Sequence, residues 1–219
     1  MIGIRRGHNS MAVGARGYVK EEEIAEEIKN NILEIFKQYN FKYIDCSPGG
    51  MTKSNDLKFG VDKANANKCN MFVSIHLNAH KTTDNPMGCE VITYNTKFKE
   101  AKDICSNLEK LGFKNRGVKH NKNLYELKNT NCRAMIVEVC FVDSKADTTL
   151  LKEVGVYKIA KAIAFGIMGV EKDMAKPIEQ TGAKYRVCVG SFAQYQNAVN
   201  KKKELENMGI DCFIVKKED

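Results

Sequence analysis

The sequence predicts an α/β protein: a mixed, mostly parallel sheet flanked by helices on both faces, followed by a small β-α-β module. Three observations carry this. Short apolar runs alternate with amphipathic stretches through the first 170 residues. The run Met71-Phe72-Val73-Ser74-Ile75-His76-Leu77 is apolar almost throughout, as a strand covered on both faces should be. After a polar stretch holding Pro177 and Gly182, a shorter alternating pattern begins again.

Taken in order, Ile2-Gly3-Ile4 is a weak strand that runs directly into Gly7-His8-Asn9, and Gly14 and Gly17 mark a loop. A helix is expected from Lys20 to Tyr39, because Ile24, Ile28, Ile32, Ile35, Phe36 and Tyr39 recur every three or four residues. Five glutamates crowd its first two turns, where the helix dipole favours them. At about 100° per residue, Glu21 lies near the centre of the isoleucine arc. Glu22, Glu23, Glu26 and Glu27 lie across from it or at its edge. Phe41 to Cys46 reads as a second strand, broken by Ser47-Pro48-Gly49-Gly50, and a helix from the N-cap candidate Ser54 to Lys68 follows. Next come the strand ending at His76, a polar loop to Pro86, a strand from Cys89 to Tyr94 and a helix from Phe98 to Leu111. A loop and the short Leu124–Leu127 piece lead to the strand Met135–Phe141, which carries Glu138. One last helix is expected from Ala146 to Met168. The boundaries that follow are a first domain over 1–170, a linker over 171–184 and a module over 185–219. That module should contain a strand to Phe192, a helix from Gln194 to Asn207 and a strand from Ile210 to Val215. Alone it is too small to bury a core comfortably.

Composition excludes some classes. No apolar run reaches the roughly 18 residues of a membrane span. The first residues do not read as a signal peptide, so synthesis in the cytoplasm is expected. The eight cysteines show no CxxC pair and mostly sit in apolar runs, as reduced, buried thiols would. The net charge of +8 is spread along the chain, which suits attraction to a polyanionic polymer better than a nucleic-acid groove. Tyr185 and Phe192 do not complete the aromatic pattern of an RNA-binding sheet.

The chemistry gathers at strand ends. In such sheets, sites collect at the carboxyl ends of strands, and His8 and His76 both fall there. A carboxylate facing the core needs a partner. For Glu21 a metal would be such a partner; the alternative is a frayed first turn that leaves it in water. Two histidines and one glutamate form a known zinc set with an open position. Glu138, inside an apolar strand, is either the general base beside such a metal or half of a buried ion pair. His80 and His120 lie in polar surroundings and read as surface residues. There is no HExxH.

These residues, with Gly17-Tyr18-Val19-Lys20-Glu21, Ala64-Asn65-Ala66, Ser74-Ile75-His76-Leu77-Asn78-Ala79, Gly88-Cys89-Glu90-Val91, Asn115-Arg116-Gly117-Val118 and Ala134–Phe141, resemble the zinc-dependent N-acetylmuramoyl-L-alanine amidases of the amidase_3 type, found in autolysins and clostridial phage endolysins. The resemblance covers residues 1 to about 170. It implies cleavage of the amide between N-acetylmuramic acid and L-alanine in peptidoglycan. His8, Glu21 and His76 would hold one Zn2+, and Glu138 would be the catalytic glutamate. Three positions depart from the family pattern: Cys140 stands for glycine, Arg133 for proline and Asn9 for glycine.

The tail resembles half of a sporulation-related (SPOR) domain, which binds glycan stripped of peptides. A half-domain suggests pairing with a second copy, or with free tails started at Met174. The resemblance also implies release to the wall by a holin or by mother-cell lysis. The other readings are a zinc peptidase cutting within the stem peptide and a wall-binding protein without activity. A nucleic-acid or membrane partner is not expected.

Overall fold

A computed structural model describes residues 1–95, 98–170, 190–207 and 212–215. The chain divides into two compact units, Met1–Met174 and Ala175–Asp219.

The first unit is built on six strands: β1 (Ile2–Arg6), β2 (Tyr43–Asp45), β3 (Met71–Asn78), β4 (Cys89–Thr93), β5 (Asn115–His120) and β6 (Arg133–Phe141). Their order across the sheet is β2-β1-β3-β6-β4-β5. The first four in that order run parallel; β4 is antiparallel to β6, and β5 is parallel to β4. This is the mixed, mostly parallel sheet that the sequence predicts.

Side chains alternate across a strand, so the two faces of the sheet receive different sets. Met71, Val73, Ile75 and Leu77 of β3, with Met135, Val137 and Val139 of β6, enter the larger core. Over that face pack α1 (Glu21–Gln38), α3 (Lys99–Lys110) and α6 (Val156–Met168), through Ile28, Ile32, Phe36, Ile104, Leu108, Ile159 and Ile163. The opposite face carries Phe72, Ala134 and Ile136 in a smaller cluster with Cys46, Ala64, Cys69 and Leu127. It lies under α2 (Lys53–Ala66) and the short α4 (Tyr125–Asn129). Ser74, His76 and Glu138 share this second face with Phe72 and Ile136, two residues apart along each strand. Polar groups therefore hold its upper half and apolar residues its lower half.

Several boundaries differ from the sequence reading. The expected final helix is two, α5 (Lys145–Val154) and α6, because Gly155 at φ 82° leaves the right-handed region and ends the first. Ser144 caps α5 by accepting from Asp147 N–H at 3.1 Å. The second helix starts at Lys53 with Thr52, not Ser54, as its flanking residue. Residues 115–120, expected as loop, form β5: Asn115, Arg116 and Lys119 give no apolar alternation, and only pairing with β4 makes this edge segment a strand. Strand β2 is only three residues. In the second unit the expected helix is present as α7 (Tyr195–Asn207). Residues 185–189 of the first expected tail strand and 210–211 of the second lie outside the described residues, and the described remainders, residues 190–192 and 212–215, are not strand.

Gly166 marks where α6 meets α3. A Cβ there would lie 2.6 Å from Ile104 Cγ1 and 2.8 Å from its backbone nitrogen. Backbone cannot yield as a side-chain tip can. Gly166→Ala is therefore expected to destabilise the first unit by about 1–3 kcal/mol, read as a lower midpoint in denaturant at unchanged slope.

Candidate active site

His8, Glu21 and His76 come from three distant places and meet at one end of the sheet. Their ligand-capable atoms lie within 4.8 Å of one another. His8 follows β1 and sits at φ 61°, a backbone region that a non-glycine residue seldom occupies. That turn aims its ring back at the start of α1, with Nε2 3.4 Å from Glu21 Oε2. Its Nδ1 is 3.2 Å from Ala12 O. A carbonyl only accepts, so Nδ1 carries the proton and Nε2 is left with a lone pair facing Glu21.

Glu21 opens α1 and is 3% exposed. Both its oxygens are held by backbone. Ala15 N–H donates to Oε2 at 2.8 Å and Leu77 N–H to Oε1 at 3.0 Å. Oε1 also lies 3.0 Å from His76 Nδ1. Burial alone would raise this carboxyl; the hydrogen bond and charge of His76, the charge of His8 and the Ala15 amide bring it below the usual carboxylate range. His8 is displaced the other way for an imidazole: burial lowers it, more than Glu21 raises it.

His76 and Glu138 face each other in register on β3 and β6. Parallel neighbours in register point to the same side of the sheet, so the glutamate is delivered beside the histidine by strand pairing alone. Glu90 pairs with Glu138 from β4. Its charge is taken by Arg116 Nε at 2.8 Å, and it accepts from Asn78 Nδ2 at 3.1 Å. Glu138 Oε2 is buried without a hydrogen-bond partner. No lysine or arginine pairs with Glu138 among the described residues, so the buried ion-pair reading of this residue is not what the structure holds. Burial lifts its carboxyl to about 7, with His76 opposing and Glu21, Glu90 and Glu126 adding to the rise. Burial would lower His76, yet the Glu126, Glu21 and Glu138 carboxylates around it raise it to about 10.

The residues fit a divalent cation on three grounds. The donor set is two imidazole nitrogens and a carboxylate, suited to zinc. The concentrated negative charge, with one carboxylate oxygen unpartnered, asks for a positive one. Glycines also clear the ring and carboxylate positions. A Cβ on Gly7 would lie 2.1 Å from His76 Cε1, and one on Gly14 2.4 Å from Glu21 Oε2.

Sequence reasoning missed two supports. Asn9, noted only as a departure at the rim, is 1% exposed. Its Oδ1 accepts from the backbone of Met11, Ala12 and Met51 at 2.8, 3.1 and 3.2 Å and so holds the loop after His8. Glu126, 3% exposed, stands behind His76. Its signal was faint: a single carboxylate in the short Leu124–Leu127 run. His80 and His120 are exposed, as expected.

Glu138 sets a test in the metal-free protein. Its carboxyl titrates near 7 when folded and near 4.5 when unfolded. A raised carboxyl contributes stability below the unfolded value and loses it as pH rises through the folded one. Thermal unfolding in chelator should therefore show Glu138→Gln melting above the parent at pH 8, with the two converging near pH 5. A constant difference at both pH values would contradict this.

Comparison with known proteins agrees with the fold. The chain is 37% identical over 191 residues to an uncharacterized 38.4 kDa protein of Clostridium perfringens, covering 82% of this chain and 54% of that protein. It is 30% identical to the N-acetylmuramoyl-L-alanine amidase LytC of Bacillus subtilis (strain 168), covering 72% and 32%. It thus spans about half the length of the clostridial relative and a third of the bacillar one. Among solved structures, the catalytic domain of the CD27L endolysin targeting Clostridia Difficile superposes with a TM-score of 0.67 at 29% identity, covering 77% of this chain and 96% of that one. The CwlD amidase from Clostridioides difficile does so with a TM-score of 0.68 at 26% identity, covering 77% and 97%. The amidase_3 family model matches residues 2–168, three quarters of the chain, and by that match the chain belongs to the N-acetylmuramoyl-L-alanine amidase family.

Proposed function

We propose that the first unit hydrolyses the amide between N-acetylmuramic acid and L-alanine in peptidoglycan, with His8, Glu21 and His76 holding one Zn2+. The observation that carries this is the meeting of His8, Glu21 and His76 beside Glu138, whose inner oxygen has no partner. When bound, zinc supplies a water of lowered pKa and polarises the scissile carbonyl.

The chain supplies the rest. His8 Nε2 and Glu21 are presented by hydrogen bonds to Ala12 O, Ala15 N–H and Leu77 N–H, so little has to reorganise when the cation enters. Glu138 takes one proton from the attacking water and passes it to the nitrogen leaving as the L-alanine amine. In the metal-free protein burial raises its carboxyl, the direction that makes it a better proton acceptor. Arg116 neutralises Glu90, which keeps a second charge from pushing Glu138 further up.

Purified Gram-positive walls should lose turbidity with the parent protein and expose new N-terminal L-alanine. Glu138→Ala should slow this by about 10²- to 10⁴-fold. Chelator should abolish it and added Zn2+ restore it. New amino ends other than L-alanine would move the cut into the stem peptide. Pelleting with walls without lysis would leave a binding protein.

The second unit, on this reading, is a half SPOR-like module that holds the enzyme on glycan and completes its sheet with another copy, or with a tail started at Met174. Release by host lysis would bring the protein to the wall, as the similarity to the endolysin of Bacillus phage SPP1 suggests, 28% identical over 168 residues. A paired full-length chain should sediment above monomer mass, or show a short second band on a denaturing gel. A monomer with one band would rule out both arrangements.

A further inference from the structure

Behind His76, on the face away from Glu21, lies a buried polar cluster that the proposed hydrolysis does not use. Arg5 of β1 is wholly buried and paired with Asp56 of α2. Glu126 of α4 is 3% exposed, with Oε1 3.1 Å from Arg5 Nη1 and Oε2 3.8 Å from His76 Nε2. One guanidinium and two carboxylates leave one negative charge over, in a place where an uncompensated charge is costly.

Arg5 does not bind Glu126 through directed hydrogen bonds. Its Nε donates to Arg6 O at 2.8 Å, Nη1 to Asp56 O at 3.1 Å, and Nη2 to the Asp56 carboxylate. No hydrogen bond reaches Glu126 Oε1. Arg5 supplies Glu126 with charge alone, and the other carboxylate oxygen, Oε2, faces His76 Nε2.

The ring of His76 lies between two carboxylates. Its Nε2 faces Glu126 Oε2 at 3.8 Å and is 3.1 Å from Ser74 Oγ, and its Nδ1 is 3.0 Å from Glu21 Oε1. An ionised carboxylate only accepts, so in the metal-free protein both ring nitrogens carry protons. A cation beside Glu21 would displace the Nδ1 proton, the nearer of the two.

We propose that Glu126 is the positioning residue of His76: its charge behind the ring keeps a proton on Nε2 and leaves Nδ1 as the atom that the metal takes. A carboxylate behind a metal-bound imidazole orients the ring and makes it a better donor. Arg5, itself fixed by Asp56, in turn balances the charge of Glu126. This inference rests on the metal-binding reading above.

The test is Zn2+ affinity of full-length, metal-stripped protein, measured by competition with a chromogenic chelator. Glu126→Gln keeps the shape and removes the charge. It should weaken Zn2+ binding about 10- to 100-fold, with circular dichroism of the metal-free protein unchanged. In a His76→Ala background the same change should alter the remaining affinity less than twofold. Affinity of Glu126→Gln within twofold of the parent, or an equal loss in both backgrounds, would overturn the proposal while leaving the metal site intact. Should Glu126→Gln fail to fold, long-range proton–nitrogen correlation on 15N-histidine-labelled parent protein decides. Zinc on His76 Nδ1 with a proton on Nε2 supports the proposal, and the reverse arrangement overturns it. No Zn2+ binding by the parent would bring down the metal reading itself.

Discussion

The site depends on one buried carboxylate. Glu21 cannot lose water without replacing what water gave it, and it does so through amides from two other segments and two facing imidazoles. Those bonds tie the start of α1 to the loop after β1 and to the end of β3. The helix is thus positioned twice, by isoleucines against the larger core along its length and by polar bonds at its first residue. The first needs only apolar area; the second demands a defined register.

The sheet supplies that register. His76 and Glu138 belong to adjacent parallel strands and are partners across the ladder. Their shared face is therefore a consequence of pairing, since a one-residue slip would send one of them into the opposite core. β4 reverses direction beside β6 and brings Glu90 to the same face, where Arg116 from the edge strand neutralises it. The antiparallel edge thus adds one carboxylate beside Glu138, already paired with a guanidinium.

Polar order extends below the site. Asn9 holds the loop that carries His8, and Arg5, Asp56 and Glu126 fill the space behind His76. These groups are buried beside an apolar cluster that includes Cys46, Cys69, Phe72 and Ala134. All of the buried thiols there are free, and burial raises Cys46 to about 12, which makes it a packing residue and a poor nucleophile.

The sequence by itself determined the α/β alternation, the central strand, the first helix and the inward phase of Glu21, because apolar periodicity is local and strong in those stretches. His8 and His76 were legible as strand-end residues, and Glu138 as a carboxylate out of place in an apolar run. What only the tertiary structure decided depends on partners distant in the chain. β5 is a strand because β4 pairs with it, and its own pattern is too polar to announce one. The break at Gly155 separates two apolar stretches whose periodicity continues across it, so phase alone could not place it. Glu126 is the clearest case. Five residues of helix carry almost no periodic signal, and nothing near it in sequence says that Arg5, Ser74 and His76 will close around it. A buried charge is meaningful only with respect to its neighbours, and those neighbours exist only once the sheet has formed.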